Sequence, residues 1–204
     1  MPRGIYLIGI AGPSGSGKTF LAQHLTAALE AEVLELDRYY RDLSHLPLEQ
    51  RARMNFDAPD ALEHELLIEQ VARLRSSEAV QLPVYDFTTH TRTAKTEMLQ
   101  PTKVIIVEGL FTLHWSGLRE LLSTKVYVDL NDEVCLTRRK QRDVRERGRT
   151  EQSVVEQFEA TVAPMARRYV HPTIVHADVV VSGTERIEAG VARVVEHYRG
   201  RTRE

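Results

Sequence analysis

Gly12-Pro13-Ser14-Gly15-Ser16-Gly17-Lys18-Thr19 fits the pattern G-x-x-x-x-G-K-[ST] without a mismatch, and its flanks fix its surroundings. Before it, Ile5-Tyr6-Leu7-Ile8-Gly9-Ile10 is a continuous apolar run, as expected of a strand buried on both faces. After it, Leu21, Leu25 and Leu29 recur at helical spacing. Strand, glycine-rich turn and helix in that order bring the turn's N–H groups and the helix's positive end to one point, where phosphate binds. In such a loop Lys18 reaches the β- and γ-phosphates of a nucleotide and Thr19 ligates Mg²⁺. A merely flexible Gly/Ser turn needs neither a buried strand before it nor an amphipathic helix after it.

Four further runs read as short strands: Val33-Leu34-Glu35-Leu36 before Asp37, Val104 to Val107 before Glu108, Val126-Tyr127-Val128 before Asp129, and Val179-Val180-Val181. Helical patterns separate several of them, at Leu62/Leu66 through Val71/Leu74, Val154/Phe158/Val162, and Ile187/Val191/Val194/Tyr198. The alternation predicts an α/β fold of the P-loop NTPase kind, a parallel sheet with helices on both faces. A chain of 204 residues is expected to form one domain over 1–204. The stretch from about 43 to 101 breaks the rhythm. It holds a loop, a helix, a strand or hairpin from Val80 to Phe87, and a polar segment from Thr88 to Thr96. An insertion where strand carboxyl ends open is expected to set specificity.

Acids and bases nearly balance, at a formal net charge of −2. A dedicated nucleic-acid binder carries a clear basic excess, so the balance weighs against that class and leaves it a third reading built on a local basic run. Cys135 is the only cysteine, which rules out an intramolecular disulfide or a Cys-based zinc site. The apolar run from Ile5 to Ile10 is too short for a signal-peptide core or a membrane span. A soluble, cytoplasmic protein with no membrane partner is expected.

Glu108 closes a four-residue apolar run, where folds of this kind place an acid near the metal's water shell. Asp37 stands in the same relation to the second strand. Two carboxylates at neighbouring strand ends could hold Mg²⁺ and accept a proton from an attacking hydroxyl. Each could equally start a turn or cap a helix, and Asp129 is read that way. The most basic segment runs from Arg138 to Arg149, with Arg138, Arg142, Arg145 and Arg149 at helical spacing. It could be a solvated helix, a nucleic-acid patch, or a lid over about 138–152 whose guanidiniums close on polyphosphate. The phosphate loop favours the lid, with Arg138 and Arg145 its most dispensable members.

Together these segments resemble the uridine–cytidine kinases, the pyrimidine-salvage branch of the phosphoribulokinase-like P-loop kinases. The resemblance is carried by Gly12 to Thr19, Asp37-Arg38-Tyr39-Tyr40, Asn55-Phe56-Asp57-Ala58-Pro59-Asp60-Ala61, and Leu82-Pro83-Val84-Tyr85-Asp86-Phe87 with His90 and Arg92. Glu108-Gly109, Arg138-Arg139 with Arg142-Asp143, Glu146-Arg147-Gly148-Arg149, and Ala177-Asp178 complete it, over about residues 5–181.

The resemblance implies ATP-dependent phosphorylation of the 5′-hydroxyl of uridine and cytidine. It makes Asp37 the general base, and it assigns Lys18, Thr19 and Glu108 to ATP and Mg²⁺, with Asp37 near the metal. The loop residues Gly12, Pro13, Ser14, Gly15, Ser16 and Gly17 bind the phosphates, and Arg139, Arg142 and Arg149 belong to the lid. Asp57 accepts hydrogen bonds from the ribose 2′- and 3′-hydroxyls, with Arg147 and Gln157 on the sugar side. Phe56, Tyr85 and Phe87 line the pyrimidine pocket, Tyr85 and His90 read the polar edge of the base, and Tyr40 lies close to the nucleoside. Related chains are commonly tetramers. A ribose diol suits a charged bidentate acceptor, a flat base suits aromatic faces, and a neutral histidine can serve uracil or cytosine by tautomer.

Departures fall at Ser182-Gly183-Thr184-Glu185, where relatives usually carry Pro-Arg-Gly near the adenine end, and at Ala58 and Phe158, where histidine and tyrosine are common. The alternatives are a kinase of the same superfamily acting on pantothenate or a sugar phosphate, and a nucleotide-binding regulatory protein.

Overall fold

The computed structural model describes residues 4–203. The first buried run forms β1 (Tyr6–Ala11), and the phosphate loop leads into α1 (Lys18–Leu29) and β2 (Glu32–Glu35). Then come α2 (Leu48–Arg51), α3 (His64–Arg75), β3 (Val80–Asp86), β4 (Thr91–Leu99), β5 (Val104–Glu108) and α4 (Ser116–Leu121). The rest is β6 (Thr124–Asp129), α5 (Asp132–Arg147), α6 (Glu151–Gln157), α7 (Ala163–Met165), β7 (Val179–Ser182) and α8 (Ile187–Arg203).

Five strands form a parallel sheet in the order β2-β5-β1-β6-β7. Side chains alternate across a strand, so one apolar run feeds two cores. Ile8 and Ile10 of β1 pack with Ile106 and Val126 under Leu21 and Leu25 of α1 and Val194 of α8. Leu7 and Ala11 join Ile105 and Val107 on the other face, under Leu67, Val71 and Leu74 of α3 and Leu118 of α4. The expected two-faced parallel sheet is what forms.

Two local readings change. The apolar run suggests a strand up to Leu36, yet β2 ends at Glu35 and Leu36–Tyr39 makes a 3₁₀ turn. Leu36 and Tyr39 are buried in that turn, so it is their packing that draws the chain out of the sheet. The polar segment after Phe87 is largely strand: β4 pairs antiparallel with β3 as a two-stranded sheet. Residues 93–98 of β4 are exposed, so no apolar alternation marks it, and backbone pairing alone defines the strand. The register shifts between Pro83 and Tyr85, where proline offers no N–H to the ladder.

The arginine-rich segment is helical, as its spacing predicts. Asn131 caps α5 by accepting from the Val134 N–H at 2.9 Å, and Gly148 ends it at φ 63°. Thr150 caps α6 through the Ser153 N–H. Beyond α6 the backbone widens into a π-helical turn at Phe158–Val162, a distortion common beside functional sites. Among the described residues, no helix is long and apolar enough to cross a membrane.

Candidate active site

Sheet order puts the site together. β1 lies between β5 and β6, and β2 flanks β5, with Glu35 in register with Glu108. The loop after β1 therefore opens beside the ends of β2 and β5, and the 3₁₀ turn carries Asp37 to the same place. These groups line one cavity of about 1380 Å³.

The loop's shape follows from close packing beneath it. A Cβ on Gly12 would come within 2.4 Å of the Val128 carbonyl oxygen, and one on Gly15 within 2.8 Å of that of Cys135. Both glycines also have positive φ, so other residues are excluded twice over. Gly12 and Pro13 lie under the cradle, where the Pro13 carbonyl accepts from the Ser16 N–H at 3.1 Å. Ser14 through Thr19 face the cavity. Lys18 rests with its Nζ 3.4 Å from the Pro13 carbonyl oxygen, a long contact easily given up for phosphate.

Thr19 Oγ1 donates to Glu108 Oε1 at 3.1 Å. Glu108 is buried, and its Oε2 has no hydrogen-bond partner. Burial pushes the Glu108 carboxyl up, opposed by Lys18 and assisted by Asp37. Burial raises Asp37 as well, while Lys18, Arg147 and Arg142 pull it down and Glu35 raises it further. A hydroxyl and a buried carboxylate with a free oxygen form a hard-oxygen donor set that fits Mg²⁺, which completes its shell with water and phosphate oxygens. Among the described residues no cluster of three acids, histidines or cysteines offers an all-protein cage.

The insertion supplies the opposite wall. Tyr40 meets Phe56 edge-on at 5.3 Å and Tyr85 at 5.3 Å, while His90 stacks on Phe56 at 5.2 Å and 19°. Phe87 meets Tyr85 at 5.2 Å and is still 55% exposed. Tyr40 holds its place by donating to the Phe56 carbonyl at 3.2 Å, whereas the buried Tyr85 hydroxyl is unpartnered. His90 sits at φ 51° in the β3–β4 turn. Arg92 proves to be structural: it donates to the Tyr40 carbonyl at 2.8 Å and the Tyr39 carbonyl at 2.9 Å, fastening the hairpin to the 3₁₀ turn. Asp57 Oδ2 accepts from Thr161 Oγ1 at 3.2 Å. Burial raises the Asp57 carboxyl; Arg139, the Thr161 hydrogen bond and Arg149 counter this.

The arginines divide into distinct roles. Arg139, 6% exposed, donates to Ser14 Oγ at 2.7 Å and to Gln157 Oε1 at 3.1 Å, joining loop to α6. Arg149 also donates to Gln157 Oε1, and to the Ser153 carbonyl at 2.8 Å. Gln157 therefore accepts from two arginines while lining the cavity. Arg142 and Arg147 line it too, whereas the Arg145 side chain is 80% exposed and pairs with Glu146. Arg138 is half-buried and is not a solvated surface charge. It donates to the carbonyls of Gly15 at 3.4 Å, Ser16 at 3.3 Å and Gly183 at 2.8 Å, clamping the loop to the end of β7.

Every residue expected at the site lines this cavity except Gly12 and Pro13 beneath it. Three participants were missed: Arg138 as a clamp, Thr161 behind Asp57, and Asp143 at the centre of the arginines. Only Asp143 left a readable signal, standing four residues after Arg139 and four before Arg147.

The sequence profile of the phosphoribulokinase / uridine kinase family matches residues 7–188. A uridine kinase of Aliivibrio fischeri (strain MJ11) is 43% identical over 196 residues, covering 92% of this chain and 91% of that protein. A uridine kinase of Chloroflexus aggregans (strain MD-66 / DSM 9485) is 44% identical over 192 residues, 93% of this chain and 92% of that one. The phosphoribulokinase from Rhodobacter spheroides superposes with a TM-score of 0.67 over 88% of this chain and 70% of its own, at 14% identity, and so shares the fold. With a phosphate loop, an acid at the end of β5 and an aromatic insertion in one cavity, this chain belongs to the phosphoribulokinase / uridine kinase family.

Proposed function

We propose that the protein is an ATP-dependent uridine/cytidine kinase, transferring the γ-phosphoryl group to the nucleoside 5′-hydroxyl to give UMP or CMP. The observation that carries this is the lining of this cavity: a phosphate loop on one wall, an aromatic cage with Asp57 on the other, and Asp37 lining it with both. Residues 43–101 serve as the nucleoside-binding insertion and 138–152 as the lid. Phe56 and Tyr85 with Tyr40, Phe87 and His90 hold the pyrimidine, and Asp57 takes the ribose hydroxyls, with Arg147 and Gln157 nearby.

Asp37 accepts the 5′-hydroxyl proton as the oxygen attacks. Its burial favours the protonated form, which poises it closer to neutral pH than an exposed carboxylate. Lys18 and the loop N–H groups hold the phosphates, and Arg139, Arg142 and Arg149 neutralise charge that grows in the transition state. Thr19 and Glu108 would hold Mg²⁺, which would supply positive charge to offset that of the phosphates. Exclusion of water by the arginine-rich segment protects ATP from hydrolysis. A cytoplasmic setting and a homotetrameric assembly complete the reading, supported by the family resemblance.

A coupled ADP-release assay over uridine, cytidine, thymidine and adenosine tests the assignment. Turnover of uridine and cytidine well above the other two is expected. ADP release with pantothenate or a sugar phosphate but with no nucleoside would overturn it.

A further inference from the structure

Asp143 is the one buried carboxylate around which the cationic half of the cavity is arranged. Its side chain is fully buried and does not line the cavity. Four guanidiniums that do line it converge on this single group. Arg142 Nε lies 2.8 Å from Oδ1 and Arg147 Nη1 3.5 Å from the same oxygen. Arg139 Nη2 and Arg149 Nη1 each lie 3.8 Å from Oδ2, which makes no hydrogen bond. The same residue's carbonyl accepts the N–H of Gly148, and that of Arg149 at 3.2 Å, so it also ends the helix and pins the segment carrying Arg147 and Arg149.

Four like charges converging on one point repel each other unless a counter-charge holds them. Asp143 supplies that charge, from behind the wall on which polyphosphate would sit. We infer that Asp143 is a positioning residue for phosphoryl transfer: it gathers Arg139, Arg142, Arg147 and Arg149 into a preassembled cationic wall without touching substrate. This rests on reading the cavity as a phosphoryl-transfer site.

The inference makes a distinctive demand on energetics. A negative charge behind the arginines opposes anion binding while fixing the geometry that the transition state needs. Removing it should leave ground-state binding intact or better and damage the chemical step. Asp143→Asn should bind inorganic tripolyphosphate with a Kd unchanged or up to about tenfold lower at physiological salt. With cytidine as acceptor, kcat should fall at least about tenfold while KM for ATP does not rise.

General structural damage gives the opposite pattern, with weaker tripolyphosphate binding and a higher KM. That pattern, or a kcat within about twofold of wild type, overturns the inference. If the asparagine variant gives no cooperative melt, Asp143→Glu decides, because it keeps the charge and moves it by one methylene. It should retain tripolyphosphate affinity within about twofold and lose at least about fivefold in kcat. Wild-type kcat, weakened binding, or failure of both variants to fold overturns the assignment, since a purely structural role would then suffice. If the wild type binds tripolyphosphate but phosphorylates neither uridine nor cytidine, the acceptor assignment fails instead. The tripolyphosphate comparison still reads Asp143, weaker binding in the asparagine variant overturning its role and equal or tighter binding supporting it.

Discussion

Discrimination at the sugar is the sharpest consequence of the site's construction. Asp57 is held by a hydrogen bond from Thr161 to Oδ2 at 3.2 Å, leaving Oδ1 and a second lone pair for the ribose diol. Asp57 is half-buried and its carboxyl is raised by desolvation, so a bond left unmade once the nucleoside covers it is costly. With 2′-deoxycytidine one hydroxyl is missing. A hydrogen bond to a charged group is worth about 1.5–3 kcal/mol net, so kcat/KM should fall about 10- to 150-fold relative to cytidine. Asp57→Ala should harm both substrates and bring their ratio close to unity, because the discriminating group is gone. Thr161→Val should lower discrimination partially, by loosening the carboxylate and favouring its protonated form. Steady-state kinetics with both nucleosides and all three proteins decides the matter. A wild type indifferent to the 2′-hydroxyl, or an alanine variant that discriminates fully, would refute the role of Asp57.

Lys18→Ala should raise KM for ATP and cut turnover while changing the melting temperature little, since its hydrogen bond to the Pro13 carbonyl is long at 3.4 Å and its charge serves Asp37 and Glu108 at the site rather than the core; full activity with normal ATP affinity contradicts it. Asp37→Asn should lose about 10²- to 10⁴-fold in kcat with cytidine affinity preserved. Because burial raises both Asp37 and Glu108, activity should disappear as pH falls through values above the ordinary carboxylate pKa of about 4, when these groups take up protons; an acid limb at or below that value in the kcat/KM profile would count against both assignments. Arg138→Ala removes donors to three loop and strand-end carbonyls and should cost about 2 kcal/mol, a melting point lower by about 4–8 °C, together with a raised KM for ATP. Calorimetry and ATP titration check both halves of that expectation.

Some of this protein is a property of its local sequence. The phosphate loop needs only its own residues between a buried strand and an amphipathic helix, and that context is contiguous from Ile5 to Leu29. The sheet strands were legible because fully buried parallel strands are unbroken apolar runs. The aromatic residues and Asp57 could be paired with a role because they stand in compact blocks, though their common cavity could not be read from them.

What periodicity does not encode was decided by packing. β4 has no apolar face, so only its ladder with β3 reveals it as a strand. Asp37 and Glu108 lie far apart in sequence and become neighbours because β2 pairs with β5, and the buried side chains of Leu36 and Tyr39 turn Asp37 out of the sheet. Arg138 belongs to the most basic segment, yet it holds carbonyls of Gly15 and Gly183, residues more than forty positions away in either direction. Arg139 and Arg149 meet on Gln157, and Thr161 reaches Asp57 across 104 positions. Sequence sets the donors and acceptors that each residue offers, because those are fixed by side-chain chemistry. Which donor meets which acceptor depends on strand order and helix placement, and only the folded chain settles these.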